Sequence, residues 1–160
     1  VGSVDTHMGN SHIAQIRYLA DEAPNEEITM YINSPGGSVP DGMALLDVMT
    51  AVPCPIRTVC VGTAASMASL LFVVGDTRDM LEHSRLMIHD PLLQGVSGSA
   101  LKIESITKNL LKSRETICKI YAKVSGKSLD EIYAMTCEDT WLDAHTALEM
   151  GLADRIIDRI

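Results

Sequence analysis

Aromatic residues are scarce, at 4% of the chain, with one Trp and one Phe. A core without rings has to be assembled from Leu, Ile, Val, Met and Ala. The nine Met are many for 160 residues and suit a role as flexible core filler. No cluster of Lys or Arg interleaves with aromatics, and the net charge is −8. That balance argues against a nucleic-acid partner. No apolar run approaches the length of a membrane span, so no membrane association is expected. The N-terminus carries neither the basic nor the apolar region of a signal peptide. The expected location is the cytoplasm, or an organelle matrix or stroma if the source is eukaryotic. Cys54, Cys60, Cys118 and Cys137 form no C-x-x-C pair and no Cys/His zinc spacing. They read as reduced core thiols, and no metal is expected. Neither a G-x-x-x-x-G-K-[ST] loop nor a G-x-G-x-x-G turn is present, so the chain has no nucleotide signature. Repeats, low-complexity tracts and linkers are also missing. With 46% apolar residues, residues 1–160 read as one globular domain.

What is present alternates between strand and helix. Val1 to Val4 reads as the end of a strand, and Asp5 or Thr6 caps a helix running to about Ala20. Ile28 to Ile32 is a short strand closed by Asn33-Ser34-Pro35-Gly36-Gly37-Ser38. A helix starts at Asp41 and ends at Pro53. Ile56 to Val61 is a second apolar strand, followed by a tight turn of small residues and a buried helix. Arg78 to Leu81 and Arg85 to Ile88 read as two further strands. The longest helix runs from about Ala100 to Val124, with Ile103, Ile106, Leu110, Ile117, Ile120 and Val124 along one stripe. That seam suits either a core helix or an arm reaching another subunit. Leu129 to Thr136 forms a short helix, and Asp139 to Leu142 a loop or short extended piece. Asp143 caps a last helix ending at Gly151, and Ala153 to Ile157 forms a last strand. Nearly unbroken apolar strands alternating with helices predict an α/β fold with a mostly parallel sheet.

The turn Gly62-Thr63-Ala64-Ala65-Ser66-Met67 presents one hydroxyl among apolar neighbours, Ser66. A strand–turn–helix with a serine at its tip is the layout of a nucleophile elbow, although small residues in such a turn also serve close packing alone. A serine nucleophile needs a base. His89 stands at the end of an apolar strand, immediately before Asp90-Pro91, and is the best placed of the five histidines. The base needs an orienting carboxylate. The candidates are Asp139, Glu138, Asp143 and Asp90. Asp90 is too close in sequence to His89, and Asp143 is engaged as a helix cap. Asp139 can be drawn inward with Trp141 and Leu142. Backbone N–H groups of Gly37 and Met67 are candidate donors to an oxyanion.

Tyr31-Ile32-Asn33-Ser34-Pro35-Gly36-Gly37-Ser38, Gly62-x-Ala64-Ala65-Ser66-Met67 and Met87-Ile88-His89-x-Pro91 occur together and in this order. With Ala147-x-x-x-Gly151-Leu152-x-Asp154 near the end, they closely resemble the proteolytic subunits of the Clp protease family, self-compartmentalised serine peptidases. The resemblance implies an α/β fold, a ClpP/crotonase-like spiral of β-β-α units with a protruding handle helix, the handle spanning about residues 92–125. It implies Ser66 as nucleophile, His89 as general base, Asp139 as orienting acid, and Gly37 and Met67 as the oxyanion hole. Gly95 and Gly98 would lie on a strand that pairs with the substrate backbone. The implied substrates are unfolded polypeptides and peptides. The implied assembly is a homo-oligomer, a heptameric ring that can stack into a double ring, served by a AAA+ unfoldase that supplies the ATP dependence. No cofactor is implied.

Several positions depart from the family pattern. Tyr31 matches an aromatic of the unfoldase-docking pocket, whereas Thr29 and Ala51 stand where aromatics are common. Ala68 replaces a Gly. Cys137-Glu138 replaces an Asp-Arg pair that senses ring–ring contact, and a Glu offers no guanidinium fork for a cross-ring ion pair. The family's N-terminal gating segment is expected to be absent. An alternative reading is a non-catalytic structural subunit of a mixed barrel. A crotonase-like acyl-CoA enzyme would need no serine nucleophile.

Overall fold

Capping side chains, prolines and glycines divide the chain into alternating elements. The computed structural model describes residues 1–93 and 95–160. In order these are α1 (Thr6–Glu22), β1 (Ile28–Ser34), α2 (Val39–Ala51), β2 (Ile56–Ala65), α3 (Met67–Val73), β3 (Thr77–Leu81) and β4 (Arg85–Ile88). They are followed by α4 (Ala100–Ser125), α5 (Leu129–Thr136), β5 (Thr140–Asp143), α6 (Ala144–Glu149) and β6 (Arg155–Ile157).

The helix starts follow capping chemistry. Asp5 accepts from Met8 N at 2.8 Å, and Asp143 accepts from Thr146 N at 2.8 Å. Ser128 and Glu131 form a reciprocal capping box on α5. The second helix departs from expectation: it starts at Val39, capped by Ser38, with Pro40 in its first turn. Pro costs nothing there because the first-turn N–H groups have no intrahelical acceptor. Asp41 lies inside that first turn rather than at the cap.

β2 is the axis of the sheet. It pairs in parallel with β1 along one side. On the other side it pairs with β3 through residues 57–60 and with β4 through residues 63–65. The expected strand end at Val61 is therefore a change of partner. Gly62 has φ +95 there, and the register against β1 slips between Ile32 and Ser34. The bulge turns the strand so that its last three residues meet β4 instead of β3. β6 extends the parallel set beyond β3. β5 pairs antiparallel with β4, which makes a strand of the segment expected to be loop or extended. The result is a mixed α/β fold with a curled sheet. Val4 forms only an isolated bridge to Gly37: its N–H donates to Gly36 O and its carbonyl accepts from Ser38 N.

The core lies between this sheet and its helices. α3 is buried along its whole length, and α2 packs so closely on it that a side chain at Gly42 would strike Met67. α4 differs along its length. Ile117, Cys118 and Tyr121 are buried, whereas Leu101, Ile103 and Leu111 are exposed. Only the C-terminal part of the apolar seam packs on the body. Cys54, Cys60 and Cys118 are buried as expected, and burial pushes the Cys60 thiol up to about 11. Cys137 is exposed, because it follows the last turn of α5 on the solvent side. Among the described residues no helix is long and apolar enough to cross a membrane.

Candidate active site

The parallel strands deliver their C-terminal ends to one edge of the sheet, where ligand sites of such sheets form. Ala65 is the register partner of Met87, so the residue after β2, Ser66, lies near the residue after β4, His89. Thr140 is the register partner of Ile88 in the antiparallel pair, so the residue before β5, Asp139, arrives at the same place. Gly36 and Gly37 follow the end of β1. The edge thus gathers four segments from distant parts of the chain.

Ser66 stands at φ 55, ψ −126, the sole non-glycine with positive φ among the described residues. Nucleophile elbows hold their serine in a strained conformation of this kind. The turn is held on both sides. Ser66 N donates to Met87 O at 2.8 Å, and Ser66 O accepts from Ser69 N at 3.0 Å and from the Ser69 hydroxyl at 2.7 Å. Tyr121 on α4 lies 2.7 Å from that same hydroxyl. Since Ser69 spends its proton on Ser66 O, the Tyr121 hydroxyl donates to Ser69 Oγ. Burial keeps the Tyr121 phenol protonated, desolvation pushing its pKa well up against the opposing effect of the Ser69 bond.

Ser66 Oγ lies 2.8 Å from His89 Nε2, and His89 Nδ1 lies 3.1 Å from Asp139 Oδ1. One tautomer satisfies both contacts: the ring proton on Nδ1 is donated to Asp139, and Nε2 accepts from the Ser66 hydroxyl. Among the described residues no other histidine bridges a serine hydroxyl and a carboxylate: His12 bonds Met8 O and His145 bonds Glu82, while His7 lies on α1 and His83 in the turn before β4.

The carboxylates sort by partner. Asp143 is spent on the α6 cap, and Asp90 bonds Arg114 and Thr136. Asp139 is left facing His89. The expectation that it is drawn inward with Trp141 and Leu142 holds only for Leu142. The Asp139 side chain is 63% exposed and Trp141 is 52% exposed. Strand pairing of β5 with β4, not burial, brings the carboxylate to the ring.

The Pro35-Gly36-Gly37 turn closes over the elbow, its Gly36 N donating to Ser34 Oγ at 3.1 Å. A Cβ on Gly36 would stand 2.5 Å from Ala65 O, 2.7 Å from Ser66 Cβ and 2.9 Å from Met67 N. Only glycine at φ +91 permits that approach. Gly37 N and Met67 N find no backbone acceptor among the described residues. Gly95 and Gly98 lie in no strand here: both are at bends, and Gly95 has φ +66 in the left-handed region. Gln94, within that stretch, lies outside the described residues.

A family model described as Clp protease matches residues 1–160. The chain belongs to the Clp protease family. A Clp protease is a peptidase, and the sheet edge described above is where this member gathers a serine, a histidine and a carboxylate.

Sequence reasoning missed the walls of the site. Val39, Leu70, Pro91, Ile117 and Tyr121 line a small apolar pocket that opens on Ser66, Met67 and His89. Ile117 was visible as part of the α4 stripe and Pro91 as part of the His89-x-Pro91 motif. Nothing local marks Val39 or Tyr121, which reach the pocket only through helix packing. A wider groove of about 490 Å³ continues from it between Gly37-Ser38-Val39, Leu92-Leu93 and α4 residues Ile106 to Ser113.

Proposed function

We propose that this Clp protease family member is a serine endopeptidase in which Ser66 is the nucleophile, His89 the general base and Asp139 the acid that orients it. The observation that carries the reading is the 2.8 Å contact of Ser66 Oγ with His89 Nε2 at a strained elbow, backed by His89 Nδ1 against Asp139. Ser66 Oγ attacks the scissile carbonyl carbon while His89 Nε2 takes its proton. The N–H groups of Gly37 and Met67 donate to the oxyanion of the tetrahedral intermediate. His89 then returns the proton to the leaving amine, an acyl ester remains on Ser66, and water hydrolyses it by the same proton route. Asp139 holds the Nδ1–H tautomer and stabilises the imidazolium.

The apolar pocket beside Ser66 favours an apolar side chain on the acyl side of the cut bond. The groove along Leu92-Leu93 runs on from it, and Gly95 and Gly98 continue that segment. An extended peptide is the substrate of this reading, the Gly95–Gly98 stretch becoming a strand only when it pairs with that peptide by strand addition. Folded chains do not fit, so an unfoldase of the AAA+ class feeds the site. Tyr31, exposed over an apolar pocket of about 340 Å³ with Ile32, Val61 and Ile160, suits its docking.

The assembly belongs to the same reading. Residues 1–160 form one peptidase domain, and about residues 92–125 its handle. The 26-residue α4 leaves Leu101, Ile103 and Leu111 exposed on a seam that suits a second copy. The assembly of this reading is a heptameric ring, and stacking of two rings has to proceed without the missing Arg at Glu138.

The test pairs hydrolysis of a fluorogenic peptide bearing an apolar residue at the cut with native mass. Turnover by a ring-sized particle, lost in Ser66→Ala at unchanged mass, supports the reading. An assembled wild type with no turnover on any peptide overturns it in favour of a structural subunit.

A further inference from the structure

Asp90 follows His89 directly, yet its carboxylate turns away from the imidazole. Its Oδ2 accepts from Arg114 Nε at 2.5 Å, its Oδ1 accepts from the Thr136 hydroxyl at 2.8 Å, and its N–H donates to Thr136 O at 2.7 Å. Thr136 is the last residue of α5 and stands three before Asp139. Arg114 lies on α4, and its guanidinium sits 4.2 Å over the Tyr133 ring of α5. Hydrogen bonding to Asp90 is the largest cause that holds the Arg114 charge firmly in place, its pKa raised.

These contacts tie the loop that carries His89 to the loop that carries Asp139, and tie both to α4. The tie matters because, beyond the β4–β5 pairing that ends at Ile88 and Thr140, little else fixes Asp139. Its side chain is mostly exposed, and its 3.1 Å contact is the longer of the two that the His89 ring makes with Ser66 and Asp139. A carboxylate positioned only by its flanking backbone depends on Thr136 before it and Thr140 after it. Thr140 Oγ1 is anchored on Met135 O at 2.6 Å, so both flanks rest on the end of α5.

We propose that Asp90 and Arg114 form a clamp that positions the His89–Asp139 pair, and that they act as one unit through Thr136. Neither touches substrate; both are positioning residues. The inference rests on the peptidase reading above. Arg114 also shares its helix face with Ile117 and Tyr121, three and seven residues on, which line the pocket beside Ser66. The clamp therefore holds the reacting groups in register with the pocket wall.

The test measures kcat and KM for peptide hydrolysis by wild type, Arg114→Ala, Arg114→Lys, Asp90→Ala, Asp90→Asn and the Asp90→Ala/Arg114→Ala pair. Folding and mass are checked at the assay temperature. Misplacing the pair lowers kcat about tenfold to a hundredfold in each alanine variant, with KM within about twofold. The double variant falls no further than the worse single one, because the two share one function. Arg114→Lys recovers part of kcat, since the charge remains while the fork and ring stacking are lost. If either alanine variant fails to fold, Arg114→Lys and Asp90→Asn carry the comparison, with a kcat loss in both expected. Wild-type kcat in Arg114→Ala, a rise in KM alone, or losses that multiply in the double variant overturn the clamp. A wild type without turnover overturns the peptidase reading first and the clamp with it, so the two failures are told apart.

Discussion

Ala65 and Met87 are register partners across β2 and β4, and that pairing sets the distance between Ser66 and His89. Each strand runs one or two residues past the pair and delivers its side chain to the same edge. A shift by one residue would send either strand's alternating side chains to the opposite face. The site is thus a consequence of sheet register before it is a matter of side-chain chemistry.

Gly36 is the residue least able to change in this arrangement. Gly36→Ala places a Cβ 2.5 Å from Ala65 O at φ +91, so the turn or the elbow must move. The expected cost is about 1–3 kcal/mol of stability, read as a fall in Tm, with peptide turnover reduced at least tenfold. Unchanged turnover with an unchanged Tm would show that the turn does not rest on the elbow.

Asp139 invites a comparison of two substitutions. Asp139→Asn offers an amide that can hold the wrong ring tautomer, whose loss of kcat reaches about 10⁴-fold at buried sites. In Asp139→Ala, water takes the place of the 63% exposed carboxylate and accepts from Nδ1. Steady-state kinetics should therefore find Asn more damaging than Ala. Equal kcat values near wild type for both would remove Asp139 from the site.

Much of this was legible in the chain. The elbow, the histidine before Pro91 and the Gly-Gly turn stand at strand ends that apolar runs and breakers mark, and the helix ends follow their capping residues. Three features were not legible. The role of Gly62 as a bulge, rather than an end, depends on which strands lie on either side of β2. The exposure of Asp139 and Trp141 depends on β5 pairing antiparallel at the sheet edge. The clamp of Asp90, Arg114 and Thr136 joins residues 24 and 46 positions apart, and no local pattern signals it.

Asp79 is fully buried and serves two arginines, accepting from Arg57 Nε at 2.6 Å and from Arg155 Nε at 2.7 Å. The trio fastens β2, β3 and β6 together. Removing the shared carboxylate in Asp79→Ala leaves two guanidinium groups without their acceptor. The expected loss is about 3–5 kcal/mol, as for other broken buried pairs, measured by urea unfolding. Arg155→Ala, which removes a partner more than half exposed, should cost clearly less.

Asp154 supplies a pH test. Arg78 donates to it from the backbone and from the guanidinium, and these bonds hold its carboxyl below the ordinary value of 3.8. A lowered folded-state pKa means that the stabilisation is complete above the ordinary value and disappears as pH falls further. The gap in stability between wild type and Asp154→Asn should be about 1 kcal/mol at pH 7, discounted for its partial exposure. It should close below about pH 4, where protonated Asp comes to resemble Asn. A gap that widens on acidification would contradict the pairing.

The most direct test of the central claim is labelling of the wild-type chain with a fluorophosphonate, followed by peptide mapping. The site predicts a single adduct on Ser66 Oγ, abolished in Ser66→Ala and strongly slowed in His89→Ala. An adduct on another residue, or an assembled wild-type particle that takes none, would contradict it.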